Sequence, residues 1–194
     1  MEKPSPGRPR HPESDKAILE ATLKLIASEG YGRMSMDRIA AEAGVSKPTI
    51  YRRYDSKEDL AIAALAYLRV EHAPRDGTDT YTELVKQMRH FRRSVEELGG
   101  MPILGTVLVE QRRTPRLFEL WAERISRPYR HILREILEHA RSRGEIEEQV
   151  DLEIALDMLL GGYYAHYFSK EAFPDSWPKP LVEAVLRSLK KGGE

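Results

Sequence analysis

Residues Gly44–Tyr54 read GVSKPTIYRRY, a short stretch that combines a glycine, a proline, two tyrosines and three basic residues. Gly44 follows an apolar helical period, and glycine is the residue type that most often ends a helix. Ser46 can cap the next helix, and Pro48 falls in its first turn, where a missing N–H costs little. The stretch therefore predicts a turn followed by a short basic helix that reaches about Tyr54.

A second short helix is predicted directly before this stretch. Ser35 can cap it, and its apolar residues recur at the spacing i, i+3, i+4, i+7, which gives Met36, Ile39, Ala40 and Ala43. Ala40 is small enough for close helix approach, Gly44 can adopt the positive φ of a sharp turn, and Ile50 faces inward. Two helices joined by a turn of three or four residues, the second one basic, predict a helix-turn-helix unit.

The outward face of the basic helix carries groups that suit DNA. A helix fits the major groove of B-form DNA, and its N-terminal residues reach base edges there. Lys47 can donate to guanine acceptors, and Thr49 can hydrogen-bond a base or contact a thymine methyl group. Phosphate contacts are predicted for Tyr51, Arg53 and Lys57. The predicted DNA surface of these helices comprises Arg38, Ser46, Lys47, Pro48, Thr49, Tyr51, Arg52, Arg53 and Lys57.

Parts of this surface keep an alternative interpretation. Arg38 contacts a phosphate or has no such role, and Arg52 contacts DNA or is a solvated charge. Residues 1–12 are rich in proline, arginine and glycine and predict a flexible basic arm. Arg8 and Arg10 of that arm either enter a narrow minor groove or belong to a solvated tail.

The segment MDRIAAEAGVSKPTIYRRYDSKEDLAIAAL, residues 36–65, resembles the DNA-binding domain of the TetR family of bacterial repressors. The resemblance implies base contacts by Lys47, Pro48 and Thr49, and backbone contacts by Tyr51, Arg53 and Lys57. One departure is the Lys47-Pro48 pair, where many members have Lys or Arg followed by glycine, or Arg followed by alanine. Proline lacks a donor N–H, so base recognition at Pro48 has to come from side chains or ring contact.

The remainder of the chain predicts only helices, about nine in total, and hence an all-α fold. Its length and helix count resemble the effector-binding and dimerisation domain of the same family. We expect a flexible arm at 1–12, a helix-turn-helix domain at 13–57 and an effector-binding and dimerisation domain at 58–194. Within the last domain, Pro128 is predicted to kink or divide a long helix.

The resemblance implies a small-molecule pocket in the C-terminal region, where a flexible aromatic and apolar set is concentrated. Its predicted lining residues are Met88, Phe91, Met101, Leu104, Leu108, Phe118, Trp121, Tyr163 and Tyr167. A symmetric dimer is expected to form a four-helix bundle from the last two helices. Its predicted interface comprises Leu152, Leu156, Leu159, Tyr163, Val182, Val185 and Leu186.

Composition and motifs limit the other possibilities. The chain has no cysteine, no histidine spacing typical of a metal site and no apolar run near the roughly 20 residues that span a bilayer. The N-terminal residues lack the apolar segment of a secretory signal, so a cytoplasmic location without membrane, metal or cofactor is expected. Residues 1–57 hold 11 Lys and Arg against 8 Asp and Glu, although the net charge of the chain is zero. Positive charge is therefore concentrated beside the predicted DNA surface.

The leading hypothesis is a ligand-responsive repressor that binds a palindromic operator as a homodimer and is released by a small-molecule effector. The sequence contains no nucleophile–base pairing and no phosphate-binding loop, which argues against an enzyme. The alternatives are a small-molecule-binding enzyme and a helical adaptor that does not bind DNA.

Overall fold

The computed structural model describes residues 12–68, 73, 79–97, 99–169 and 172–190. Within these residues the chain forms ten α-helices and no strand, which confirms the all-α prediction. The helices are α1 (Pro12–Glu29), α2 (Met36–Ala43), α3 (Lys47–Tyr51), α4 (Lys57–Tyr67), α5 (Thr80–Glu97), α6 (Gly100–Glu110), α7 (Pro115–Trp121), α8 (Arg127–Ser142), α9 (Leu152–Ser169) and α10 (Pro178–Ser188). A π-helical turn, Ala122–Ser126, joins α7 directly to α8, so these described elements form nine separate helical segments.

The ends of the short helices follow from local chemistry. Ser35 is extended, and its Oγ accepts a hydrogen bond from the backbone N–H of Arg38 at 3.4 Å. Gly44 has φ +65° and donates its N–H to Ala40, so the left-handed turn predicted after α2 is present. Ser56 accepts from the N–H of Asp59 at 3.0 Å at the start of α4. The cap predicted from the sequence at Ser35 is therefore confirmed, and Ser56 caps α4 in the same way.

The first of two compact units comprises described residues within 1–68 and 98–121. In this unit α1 packs against α2, α4 and α6, and α7 packs against α4 and α6. Ile18 of α1, Ile39 of α2 and Ile50 of α3 are fully buried. These isoleucines hold the helix-turn-helix against α1, and Ile50 faces inward as predicted.

The second unit comprises described residues within 69–97 and 122–194. Helix α5 packs against α8, α9 and α10. Its Phe91 ring lies edge-on to Tyr129 and Tyr163, with centroids 4.7 and 5.1 Å away, and all three rings are buried. Edge-to-face pairs of this kind add to the burial of apolar area, so the centre of this unit is an aromatic cluster.

Several helices differ in length from the predictions. Helix α3 ends at Tyr51 rather than near Tyr54, although the N–H of Tyr54 still bonds to the carbonyl of Ile50 at 3.0 Å. Pro128 lies in the first turn of α8, which directly follows the π-helical turn, and the kink predicted there stays a prediction. The predicted domain boundary at residue 57 stays a prediction.

Candidate nucleic-acid interface

Helix α3 presents one face to solvent and one to the core. Lys47 and Pro48 are exposed, and 46% of Tyr51 is accessible. Ile50, on the opposite side, has no exposed surface. Among the described residues, therefore, none covers Lys47 or Pro48 in the first turn of α3, and Thr49 beside them is half-buried.

Thr49 is positioned by Ser46, the residue that precedes α3. Their hydroxyl oxygens lie 2.8 Å apart, within hydrogen-bond distance. Ser46 has the extended backbone of a helix cap, yet its side chain does not bond a backbone N–H of α3. The predicted capping role of its hydroxyl is thus replaced by a contact that orients the Thr49 side chain, whose base contact remains a prediction.

Lys47 is paired with an acidic residue of α2. Its Nζ lies 2.8 Å from Oδ1 and 2.9 Å from Oδ2 of Asp37, and both side chains are well exposed. The hydrogen bond to Asp37 raises the pKa of Lys47 above its ordinary value, so the ammonium group stays charged at neutral pH. The sequence placed opposite charges at the starts of two consecutive short helices, which was the only signal for this pair.

Arg53 is placed differently from its predicted role at a phosphate. Its Nε lies 2.6 Å from Oδ1 of Asp15 in α1, and only 10% of its side chain is exposed. One of its terminal nitrogens also donates to the carbonyl of Thr49 at 3.4 Å. Because its guanidinium is turned toward α1, we assign Arg53 to holding the segment after α3 and not to contact with DNA. The sequence carried no signal for the Asp15 partner.

Three other residues predicted to contact DNA differ in whether their side chains already have a partner within the chain. Lys57 donates to the carbonyl of Tyr31 at 2.9 Å and lies 4.3 Å from the centre of its ring. Arg38, which is mostly exposed, forms an ion pair with Glu29. Arg52 is exposed at the end of α3. To bind a phosphate, Lys57 would have to leave the Tyr31 carbonyl and Arg38 would have to leave Glu29. Arg52 is exposed to solvent.

The remaining predictions about sites concern the arm, metal ions and membranes. Arg8 and Arg10 lie outside the described residues. In the part of the chain that the structure describes, no cluster of three or more His, Asp or Glu side chains is arranged to hold a metal ion. No helix among those residues combines the length and apolar character needed to cross a bilayer.

The predicted pocket residues divide between the two units. In the first unit Leu104 and Trp121 are buried, Met101 and Phe118 are half-buried, and Leu108 is 51% exposed. In the second unit Met88 is buried, Phe91 and Tyr163 are buried in the aromatic cluster, and Tyr167 is 43% exposed. Leu108 and Tyr167, each about half exposed, are poorly placed to line an enclosed pocket within their own units.

The predicted dimer residues lie mainly in the core of the second unit. Leu152, Leu156, Leu159 and Tyr163 of α9 are buried, as are Val182 and Val185 of α10, and Leu186 is half-buried. These side chains already contact other helices of the same chain and offer little surface to a partner. The exposed apolar residues of α9 form a different stripe, which sequence periodicity does not single out: Ile154, Met158, Gly161, Ala165 and Phe168.

The fold and surface of the first unit define a class of protein. A left-handed glycine turn joins two short helices, the buried Ile50 fixes the second one, and its outer face is open and basic. This arrangement is that of helix-turn-helix proteins, which place the second helix in the major groove of DNA.

Comparisons with known proteins specify the family. Residues 18–64 match the model for bacterial regulatory proteins of the tetR family, and residues 74–185 match the Tetracyclin repressor-like C-terminal domain. The uncharacterised HTH-type transcriptional regulator YdeS of Bacillus subtilis (strain 168) is 26% identical over 185 residues, 94% of this chain and 93% of the relative. The uncharacterised HTH-type regulator Mb1581 of Mycobacterium bovis is 31% identical over 159 residues, 81% of this chain and 76% of the relative.

A solved structure agrees with these matches. The crystal structure of the TetR family transcription regulator SCO0332 superposes with a TM-score of 0.59 at 27% identity, covering 90% of this chain and 97% of that one. The chain therefore belongs to the TetR family of bacterial transcriptional regulators. It is a DNA-binding regulator of transcription and not an enzyme.

Proposed function

We propose that this regulator is a repressor that binds a palindromic operator as a homodimer and leaves it when a small-molecule effector binds. The observation that carries the proposal is the outer face of α3, where Lys47, Pro48 and Tyr51 are exposed and Thr49 is half-buried. Lys47 and Thr49 read base edges, Pro48 contributes ring contact, and Tyr51 bonds a phosphate. Arg52 and Arg38 add charge at the edge of the groove, and Lys57 reaches the backbone from the start of α4.

A single α3 is too short to read a long site. One helix-turn-helix unit reads a few base pairs, and symmetric dimers read two half-sites about one helical turn or more apart. A homodimer in which the same surface of each chain meets its copy supplies this symmetry. The operator in this proposal is therefore an inverted repeat.

The dimer in this proposal uses the exposed stripe of α9 rather than the buried residues first predicted. Ile154 is 60% exposed, Met158 41% and Phe168 69%. Gly161 lies between them, and a Cβ built on it meets no neighbouring atom within 4 Å. Large apolar side chains flanking a glycine allow close approach of a second helix, which buries apolar area on both chains.

An effector site in the second unit is supported by buried polar atoms. Oε1 of Gln87 and Nε1 of Trp177 are buried, and neither has a hydrogen-bond partner among the described residues. Buried polar atoms are normally bonded to protein, water or a ligand. An effector that binds the DNA-incompatible conformation more tightly than the competent one lowers operator affinity by that difference.

Selection of bound sequences from random duplex DNA tests the proposal. We expect recovery of an inverted repeat, together with an affinity that falls steeply between low and moderate salt because condensed cations are released from the phosphates. Recovery of no common sequence, with salt-insensitive binding, would falsify the proposed function. Recovery of an unrepeated half-site would contradict the dimer.

A further inference from the structure

The ion pair between Lys47 and Asp37 lies on the surface that the proposed function assigns to DNA. Lys47 Nζ contacts both carboxylate oxygens of Asp37, at 2.8 and 2.9 Å. The Asp37 side chain is 70% exposed and the Lys47 side chain 44%. The negative charge of Asp37 therefore lies beside α3, the recognition helix of the proposed function. It would face the phosphates when α3 enters the major groove.

The ammonium group of Lys47 has two possible partners, the Asp37 carboxylate and a base of the operator. While it is bound to Asp37, the pair is close to neutral and releases few counterions from DNA. To donate to a guanine, Lys47 has to swing away from Asp37, which leaves an unpaired carboxylate near the phosphates. Since exposed ion pairs are weak, the cost of separation is small enough for a good base contact to offset it.

We propose that Asp37 is a specificity-determining residue that withholds the charge of Lys47 from DNA of arbitrary sequence. This inference rests on the proposed function, because it requires Lys47 to reach a base. At a matching base, a hydrogen bond from Lys47 replaces the one to Asp37. At other sequences no hydrogen bond to a base replaces it, so Lys47 stays paired for a larger fraction of the time and the complex is weaker.

A second ion pair on α2 provides a matched control. Glu42 is also an exposed carboxylate, and its partner is Lys24 of α1, outside the predicted DNA surface. Glu42 lies five residues after Asp37, which places it about 140° around the helix. Glu42→Gln therefore removes one negative charge from the same helix without releasing Lys47.

The experiment compares Asp37→Asn and Glu42→Gln in the wild-type and Lys47→Ala backgrounds. Two probes are titrated over a salt series: the duplex recovered by selection, and a shuffled duplex of the same length and base composition. We expect Asp37→Asn to raise affinity for the shuffled duplex about two- to fivefold per recognition helix beyond the effect of Glu42→Gln. Its salt dependence should steepen by roughly one counterion per recognition helix.

Affinity for the selected duplex should rise less, so the ratio of specific to non-specific affinity falls. In the Lys47→Ala background, Asp37→Asn should have no larger effect than Glu42→Gln. Thermal unfolding of each variant separates an effect on binding from loss of the folded state.

If Asp37→Asn and Glu42→Gln changed the affinity for each duplex equally, the inference about Asp37 would be overturned. The proposed function would still stand if the wild-type protein preferred the selected duplex. Lower affinity of Asp37→Asn for the selected duplex would also overturn the inference, since Asp37 would then help Lys47 to bind. If the wild-type protein bound neither duplex, the proposed function itself would fail.

Discussion

Nε of Arg53 lies 2.6 Å from Oδ1 of Asp15, which connects the segment after the recognition helix to the first turn of α1. Arg53 is nearly buried, whereas Asp15 keeps 35% of its side chain exposed. A pair that is partly desolvated loses more when one partner is removed than an open surface pair does. We therefore expect the position of the segment after α3 to depend on an aspartate 38 residues earlier in the chain.

Replacing Arg53 by alanine should lower the free energy of unfolding by about 1–3 kcal/mol, because it leaves Asp15 without its partner. Thermal unfolding followed by circular dichroism measures this change. Arg52→Ala is the matched control, since the neighbouring arginine is exposed, and it should leave the melting temperature nearly unchanged. Equal melting temperatures for the two variants would show that the Arg53–Asp15 pair does not hold α3.

The sequence predicted those features of the first unit that depend on neighbours in the chain. Gly44, Ser35 and Ser56 act through bonds to residues within four positions, and Ile50 follows from helical periodicity. Spacing alone predicts Arg53 on the outward face of the basic helix, but Arg53 lies after α3 and its partner, Asp15, comes from α1. Distant partners of this kind depend on tertiary packing, which local periodicity does not contain.

The sequence of α9 does not reveal which of its faces is buried and which is exposed. The helix reads LEIALDMLLGGYYAHYFS and is apolar on nearly all sides, so periodicity does not distinguish its core face from its exposed face. Packing against α5, α8 and α10 buries Leu156 and Leu159 and leaves Ile154 and Met158 in solvent. The buried and the exposed residues of α9 can therefore be distinguished only from the positions of the neighbouring helices.

Base contacts and phosphate contacts should respond differently to substitution. Lys47→Ala and Thr49→Ala should cost about 1–3 kcal/mol per half-site at the preferred base and relax the sequence preference. Tyr51→Phe removes only a hydroxyl and should weaken binding to all duplexes alike. Titration of each variant against the selected duplex and its single-base variants measures the difference. Identical profiles for the two classes would contradict the division of roles.

The aromatic cluster should make the second unit sensitive to alkaline pH. Burial raises the pKa of Tyr129 and of Tyr163 to about 12 each, against about 10 in an unfolded chain. Their contribution to stability is fully present below pH 10 and is lost as the pH rises from 10 to 12, by up to about 2–3 kcal/mol for each tyrosine. Urea unfolding at pH 9, 10 and 11 measures the loss. Tyr129→Phe should make it shallower, and an unchanged slope would contradict the assignment.

The proposed dimer surface can be tested at a position where the single chain has free space. Gly161 is exposed on α9, and a Cβ built on it meets no neighbouring atom, so Gly161→Leu should not disturb the isolated chain. A leucine there would hold a second helix away from the stripe and should shift the protein from dimer to monomer in sedimentation velocity. Operator affinity should fall with it, because the two recognition helices are no longer coupled.

Gly105→Leu is the matched control for that experiment, since Gly105 is an exposed helical glycine of α6 with equally free surroundings. It should leave both the sedimentation coefficient and the operator affinity close to those of the wild type. Glycine inside a helix costs about 1 kcal/mol relative to better helix formers, so neither leucine should destabilise the fold of the single chain. A dimer that persists in Gly161→Leu would place the interface on another surface.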